Sequence, residues 1–318
     1  MYTVGVDLGG TNIGTIVLDD DDQVVGYAKR KTPTGGDHHG VVDVIVAGVH
    51  DAIDDAGLSL KKVDAVGVGT PGVVVDGTVG DAFNVPGFQQ RFSLGDLVSD
   101  LVDKPVRVVN DVTAGAVAEH RVGAGRGWMQ LLCVFAGTGV GGGLILDGQI
   151  FEGAHGGAGE FGHQVIRQGG AVCPCGRRGC VEAYAGRQAM ALAAEREIAH
   201  GGTTILFDVM EKKGKPRPTS GVFSDALDMG DPFVADLIDD CVAALAAGIA
   251  SAVNLLDLEG VVLGGGMGDK LGEPFRARVE AAMQPHLFFS PPRVTLVSAT
   301  LGDNGGAIGA ALLSREEV

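Results

Sequence analysis

Cysteines and a histidine lie in the middle of the chain with the spacing of a metal site. Three of the five cysteines fall within Cys173-Pro174-Cys175-Gly176-Arg177-Arg178-Gly179-Cys180, and His163 lies shortly before them. Structural zinc is held by four Cys or His ligands in a tetrahedron, often with glycines at the bends. We therefore predict that a structural zinc ion is bound by His163, Cys173, Cys175 and Cys180. The alternative is a set of reduced structural thiols.

An aspartate at a strand-to-helix junction could act as a general base. Asn110-Asp111 follows the buried strand predicted at Val106–Val109 and precedes a helix predicted at Val112–Val122. Ligands of α/β proteins bind at the carboxyl ends of strands. A carboxylate there can take a proton from a substrate hydroxyl, as phosphoryl transfer to an alcohol requires. The alternative is that Asp111 only caps the helix.

Two turns rich in glycine and threonine indicate phosphate binding. They are Asp7-Leu8-Gly9-Gly10-Thr11-Asn12 and Ala136-Gly137-Thr138-Gly139. Backbone N–H groups in such turns can surround an anion, although either turn alone could be an ordinary hairpin. Residues 137–142 also match G-x-G-x-x-G, but the apolar run Leu144-Ile145-Leu146 indicates a following strand, whereas a dinucleotide site opens a helix. No P-loop string is present.

The elements around these turns repeat. Tyr2–Val6, a turn, Ile13–Leu18 and an aspartate-rich turn are matched by Leu131–Phe135, a turn, Gly143–Leu146 and Asp147-Gly148. A repeated strand–turn–strand unit predicts two similar lobes built by duplication. Strands alternate with helical stretches along the rest of the chain, which also includes a helix predicted at Ala183–His200, a polar loop at Lys212–Ser220 and a turn at Gly264-Gly265-Gly266. We therefore expect an α/β fold.

Charge restricts the choice of partners. The 318 residues include 24 basic and 40 acidic side chains, which gives a net charge of −16. A surface that binds nucleic acid is basic, so no nucleic-acid partner is expected. The acidity fits either an ordinary acidic protein or one adapted to high salt, in which hydrated carboxylates preserve solubility.

Location is also an expectation from sequence. No apolar run reaches the ~18 residues of a membrane span. The strand-like segment Tyr2–Asp7 follows Met1 directly, without the pattern of a signal peptide. We therefore expect a cytoplasmic protein with no membrane partner.

Taken together, the motifs resemble those of the ROK family of sugar kinases. Residues 7–12 and 135–143 resemble its two phosphate motifs, and Asn110-Asp111 resembles its catalytic pair. Gly159-Glu160-Phe161-Gly162-His163 and Cys173–Glu182 resemble its sugar and zinc signature, and residues 262–266 resemble its adenosine motif. The resemblance extends from residue 3 to about residue 312.

The resemblance implies a two-lobed fold of the actin/hexokinase (ribonuclease H-like) type, with a small lobe at residues 1–112 plus 301–318 and a large one at 113–300. It implies ATP, Mg²⁺ and phosphorylation of the 6-hydroxyl of a hexose, with glucose favoured. Kinases for N-acetylglucosamine, N-acetylmannosamine, fructose or mannose are the alternatives, and polyphosphate or ADP is an alternative donor. Members form homodimers or homotetramers. Family repressors carry an N-terminal helix-turn-helix domain, which is not expected before Asp7.

The resemblance also assigns roles. Asp111 would be the catalytic base, and His163 would serve zinc and sugar through different ring nitrogens. The residues implied in sugar binding are Gly72, Asn84, Asn110, Asp111, Glu160, His163 and Glu182. Those implied in binding ATP and its Mg²⁺ are Asp7, Gly9, Gly10, Thr11, Asn12, Gly137, Thr138, Gly139, Gly264, Gly265 and Gly266.

Overall fold

The computed structural model describes residues 1–82 and 85–317, a chain of alternating strands and helices. The strands are β1 (Tyr2–Leu8), β2 (Asn12–Leu18), β3 (Val24–Lys31), β4 (Val63–Thr70), β5 (Val73–Val75), β6 (Thr78–Gly80), β7 (Phe92–Ser93), β8 (Val106–Asn110), β9 (Leu131–Ala136), β10 (Val140–Leu146), β11 (Gln149–Ile150), β12 (Gly260–Gly264) and β13 (Thr295–Ser298). The helices are α1 (His38–Asp55), α2 (Leu94–Val102), α3 (Asp111–Arg121), α4 (Glu182–Ala185), α5 (Arg187–Ala199), α6 (Leu206–Lys212), α7 (Ser220–Asp228), α8 (Pro232–Leu256), α9 (Gly265–Met283) and α10 (Gly305–Ser314).

Two five-stranded sheets share one topology. Their strand orders are β3-β2-β1-β4-β8 and β11-β10-β9-β12-β13. In each sheet the first three strands along the chain pair antiparallel and the last two run parallel to the first. The duplicated α/β architecture expected from sequence is confirmed. The lobe boundaries at residues 112/113 and 300/301 stay a prediction.

Helices α3 and α10 pack against each other between the two sheets. Helix α10 lies on β1 and β4 of the first sheet, and α3 lies on β10 of the second. Their approach depends on Gly309, because a Cβ there would clash with the carbonyl oxygen of Ala114. Close packing of this kind leaves little freedom for a larger side chain. The helix pair therefore places the start of α3, with Asp111, at the junction of the sheets.

Two local expectations differ from the structure. The helix predicted at 183–200 is divided into α4 and α5 at Gly186, whose backbone is extended. The glycine run 264–266 does not form a separate turn, because Gly265 begins α9. The polar loop predicted at Lys212–Ser220 is present, but it connects two short helices that the sequence did not predict, α6 and α7, which bury Leu206 and Phe223 in the core.

A small third sheet, in the order β5-β6-β7, follows β4. It places the loop at Gly72 beside the end of β8. Within the described part of the chain, no helix is long and apolar enough to cross a bilayer.

Candidate active site

The carboxyl edge of the first sheet brings two aspartates together. Asp7 of β1 lies opposite Gly69 of β4, and Thr70 of β4 lies opposite Asn110 of β8. Only β4 lies between β1 and β8 in the sheet. Because neighbouring strands are about 4.8 Å apart, β1 and β8 are separated by about two such spacings at this edge. Gly69 carries no side chain between them. Asp7 and Asp111 are consequently close enough for their charges to interact.

Asn110 fixes the backbone that carries Asp111. Its Oδ1 accepts hydrogen bonds from the N–H groups of Val112 (2.9 Å) and Thr113 (3.2 Å), which caps α3. Its Nδ2 donates to the carbonyl oxygen of Gly72 at 3.2 Å. Capping satisfies N–H groups that the first helical turn leaves unpaired. The N-cap residue of α3 is thus Asn110. The alternative considered from the sequence had placed the cap at Asp111.

Burial and like charge disfavour ionisation at this edge. Burial, followed by repulsion from Asp111 and Asp303, raises the pKa of Asp7 to about 7. The pKa of Asp111 is also raised by burial, although the Val112 N–H bonded to its carboxylate acts in the opposite direction. Carboxylates that repel one another suit a hard cation, and oxygen atoms are the ligands that Mg²⁺ prefers. Asp7 and Asp303 therefore fit a Mg²⁺ site beside Asp111.

The first phosphate turn joins β1 to β2. The N–H of Gly9 donates to the carbonyl oxygen of Asn12 at 3.0 Å, which closes the turn. The hydroxyl of Thr32, the residue after β3, donates to the carbonyl oxygen of Gly9 at 2.6 Å. Gly10 and Thr11 at the tip are exposed. These two hydrogen bonds fix the base of the turn, and its tip remains open to a ligand.

The second phosphate turn occupies the equivalent place between β9 and β10. The N–H of Gly137 donates to the carbonyl oxygen of Gly139 at 2.8 Å. The side chain of Arg187 donates to the hydroxyl of Thr138 at 2.8 Å. Since residues 137–142 lead into β10, the structure confirms that this glycine motif opens a strand and not a dinucleotide-binding helix.

The glycine run at the end of β12 lies beside the second phosphate turn. Gly264 pairs with Phe135 of the neighbouring parallel strand. Gly265 has a φ of 82°, and a Cβ there would lie 2.6 Å from the carbonyl oxygen of Ala136. Only glycine adopts such a conformation at no steric cost. The third predicted nucleotide segment and the second turn therefore share one sheet edge.

The four proposed zinc ligands converge. One ligand atom from each of His163, Cys173, Cys175 and Cys180 lies within 4.8 Å of all the others. The sulfur atoms of Cys175 and Cys180 are 3.9 Å apart, and Nδ1 of His163 is 3.8 Å from the sulfur of Cys173. A tetrahedron with Zn–S bonds of about 2.3 Å has edges of about 3.8 Å. The donor set and its spacing fit a closed structural zinc site.

The cysteine loop has its own backbone framework. The N–H of Cys173 donates to the carbonyl oxygen of Arg177 at 2.8 Å, and that of Gly179 donates to the carbonyl oxygen of Ala171 at 2.8 Å. The N–H of Ala171 in turn donates to the hydroxyl of Tyr184 at 2.9 Å. The three sulfur atoms are therefore positioned by hydrogen bonds within the loop and to α4.

The residues predicted to bind sugar are divided between two places. Nε2 of His163 points toward Glu160, 3.9 Å from its Oε2, while Nδ1 faces the cysteines. Glu182 begins α4, and its Oε2 accepts a hydrogen bond from the N–H of Val140 at 2.9 Å. Glu182 is thus attached to the second phosphate turn. Asn84 lies outside the described residues.

A cavity of about 1010 Å³ opens beside the carboxyl edge of the first sheet. Gly72, Asn110 and Glu160 line it, together with the glycine-rich strand β10 and the loop that follows β11. Pockets for small molecules commonly have volumes of ~300–1,000 Å³. The cavity is therefore large enough for a hexose with room beside it.

Sequence reasoning missed three residues that organise the site. Thr32 holds the first turn, Arg187 holds the second, and the buried Glu119 accepts hydrogen bonds from the N–H groups of Ala124, Thr300 and Leu301. For each of the three residues, at least one of these hydrogen bonds joins positions that are 23 or more residues apart in the sequence. The one available signal was the position of Arg187, just after the cysteine signature in an acidic chain.

Comparison with known proteins gives a consistent result. The model of the ROK family matches residues 3–317. The chain is 35% identical to a glucokinase of Halalkalibacterium halodurans over 99% of this chain and 96% of the relative. It is 30% identical to an N-acetylmannosamine kinase of Escherichia coli over 100% of this chain and 99% of the relative.

A solved structure extends the similarity to three dimensions. The ROK family glucokinase of Streptomyces griseus, in complex with glucose and AMPPNP, superposes with a TM-score of 0.82 at 33% identity. The alignment covers 99% of this chain and 100% of that one.

Proposed function

This chain belongs to the ROK family, and we propose that it transfers the terminal phosphoryl group of ATP to the 6-hydroxyl of a hexose, with glucose as the preferred acceptor. Phosphorylation of a hexose by ATP is the activity that the glucokinase relatives and the glucose- and AMPPNP-bound neighbour support. The preference for glucose rests on the 35% identity to the glucokinase of Halalkalibacterium halodurans, against 30% identity to the N-acetylmannosamine kinase of Escherichia coli.

One observation supports this reaction above the others. Asp111 is held by the Asn110 cap at the junction of the two sheets, at the same edge as Asp7 and the first phosphate turn. A carboxylate with a raised pKa accepts a proton more readily than a free one, as a general base must. The base takes the hydroxyl proton as the new O–P bond forms, which places its contribution in the transition state.

We assign the hexose to the cavity between Gly72, Asn110 and Glu160. Carboxylate and amide oxygens accept hydrogen bonds from sugar hydroxyls, and amide N–H groups donate to them. Nε2 of His163 points to the same side as Glu160, so one ring nitrogen faces the cysteines and the other can serve the sugar. Glu182 would add an acceptor from the second phosphate turn.

We assign the donor to the three glycine segments. The turns at residues 9–12 and 137–139 would hold the phosphates through backbone N–H groups, and residues 264–266 would hold the adenosine. Mg²⁺ would be held near Asp7 through water, where it neutralises charge on the phosphates during transfer. A sugar bound between segments of both sheets would also exclude water from the donor, which limits wasteful hydrolysis.

The remaining parts of the proposal follow from the family. Zinc at His163 and the three cysteines is structural, because four protein ligands leave no open position. The thiolate ligands require a reducing compartment, which agrees with a cytoplasmic enzyme. A homodimer or homotetramer is expected, and light scattering during size-exclusion chromatography measures it.

The acceptor and the donor are tested together. Formation of sugar phosphate is followed by mass spectrometry for glucose, N-acetylglucosamine, N-acetylmannosamine, fructose and mannose, each with ATP, ADP or polyphosphate. We expect the highest kcat/KM with glucose and ATP. A higher kcat/KM for N-acetylmannosamine would favour the second candidate, which the Escherichia coli relative and the spare volume of the cavity support.

A further inference from the structure

Two arginines connect the nucleotide segments of the two sheets. Arg187, the first residue of α5, donates from Nη2 to the hydroxyl of Thr138 at 2.8 Å and from Nη1 to the hydroxyl of Ser220 at 2.9 Å. Arg217 lies in the loop between α6 and α7, and its Nη2 donates to the hydroxyl of Thr11 at 3.3 Å. One arginine thus contacts the second phosphate turn and the other contacts the first.

The two guanidinium groups are also close to each other and to the third segment. Burial, followed by the charge of Arg217, lowers the pKa of Arg187. A Cβ on Gly266 would lie 3.7 Å from Nη1 of Arg187, which places this arginine beside the glycine run that ends β12. The pair therefore lies where all three segments predicted to bind the nucleotide meet.

This concentration of positive charge has no carboxylate partner in residues 1–82 and 85–317, where neither arginine forms an ion pair with Asp or Glu. The chain as a whole carries a net charge of −16. Two like charges brought together, one of them partly removed from water, raise the free energy of the empty site. An anion with several charges relieves that cost, and arginine forks match phosphate oxygens.

We propose that Arg187 and Arg217 form a clamp that binds the terminal phosphates of the donor nucleotide. Arg187 is the fixed member, since Thr138 and Ser220 hold its guanidinium. Arg217 is the movable member, since it lies on an exposed loop and its contact with Thr11 can be exchanged for a phosphate oxygen. The adenosine lies at the glycine run, so the phosphates farthest from it reach the two turns. The clamp rests on the proposed use of ATP but not on the identity of the sugar.

The clamp is tested by calorimetric titration of the sugar-free protein with ADP and with AMP, in the presence of Mg²⁺. Arg187→Gln and Arg217→Gln should each weaken ADP binding about 10- to 100-fold, the effect of losing a charge-assisted hydrogen bond. AMP binding should change less than about threefold. Arg196→Gln is the matched control, because it removes the same charge from the exposed face of α5 far from the turns; it should bind ADP as the wild type does.

Three results would overturn the clamp. The first is unchanged ADP affinity in Arg217→Gln, which tests the proposal even if Arg187→Gln fails to fold, because Arg217 is exposed. The second is an equal loss of affinity for AMP and ADP, which would place the arginines elsewhere on the nucleotide. The third is a wild-type protein that binds neither ADP nor AMP, which would also reject ATP as the donor. A wrong sugar assignment leaves all three measurements unaffected.

Discussion

Oε1 of Glu182 lies 3.7 Å from the sulfur of Cys173, while Oε2 of the same side chain accepts the N–H of Val140. One carboxylate therefore connects the cysteine cluster to the second phosphate turn. Loss of order in the cluster would release Glu182 and, with it, the backbone of the turn. The proposed zinc site has the four ligands of a structural ion, and through Glu182 it also supports the second phosphate turn.

Removal of one zinc ligand should therefore abolish both metal binding and activity. Cys175→Ser is expected to lose zinc and to unfold or inactivate the protein, because structural zinc contributes free energy of folding directly. Metal analysis should find about one zinc per chain in the wild type. Cys241→Ala removes a buried thiol outside the cluster and should keep its zinc. Fully active wild-type enzyme without zinc would reject the site.

The ligand-free protein should lose stability as pH rises through the pKa of Asp7. This pKa is raised from 3.8 to about 7, so the contribution of neutral Asp7 to stability is complete below pH ~4 and is lost progressively as the pH rises from there through ~7. Asp7→Asn cannot ionise. Its stability relative to the wild type should increase by about 2–3 kcal/mol between pH 5 and pH 8.

Urea unfolding in buffer without Mg²⁺ or nucleotide measures this difference for Asp7→Asn. Asp20→Asn makes the same change at an exposed position, and its stability relative to the wild type should not depend on pH over this range. A constant difference between Asp7→Asn and the wild type would show that Asp7 titrates normally.

Glu119 should be one of the residues most sensitive to substitution. Its side chain is only 2% exposed, and its two oxygens accept hydrogen bonds from three N–H groups and, at 3.3 Å, from the hydroxyl of Thr300. Glu119→Gln replaces one acceptor oxygen with an NH₂ group that faces donors. Such a mismatch costs about 1–3 kcal/mol. Denaturant unfolding should show a loss of this size, and a loss below about 0.5 kcal/mol would contradict it.

The sequence predicted those parts of the fold and the site that depend on short segments. Alternating apolar residues and turn glycines encode each strand–turn–strand unit locally, and the cysteine spacing alone marks the proposed zinc site. It did not predict contacts between distant segments. Arg217 meets Thr11 across 206 residues and Thr300 meets Glu119 across 181, and no local pattern reports such a pairing. Helices α6 and α7 were missed because segments of 7 and 9 residues are too short to define a helical period.

Salt should distinguish the two explanations for the acidic composition. Salt shortens the screening length from about 10 Å at 0.1 M to about 3 Å at 1 M, which removes most repulsion between surface carboxylates. A protein adapted to molar salt should continue to gain thermal stability from 0.1 to 3 M KCl. A midpoint that is flat or falls above ~0.5 M KCl would identify an ordinary acidic protein, in which exposed charges are already screened.

The central claim is that Asp111 is the base for phosphoryl transfer, and Asp111→Asn tests it most directly. Steady-state kinetics with glucose and ATP, combined with calorimetric glucose binding, should give a kcat lowered about 10²- to 10⁴-fold while glucose affinity largely survives, because a general base acts in the transition state. Asp103→Asn is the matched control: Asp103 is exposed and has a left-handed backbone that Asn also tolerates, so its kcat should equal that of the wild type. A kcat for Asp111→Asn within about threefold of the wild type would contradict the account.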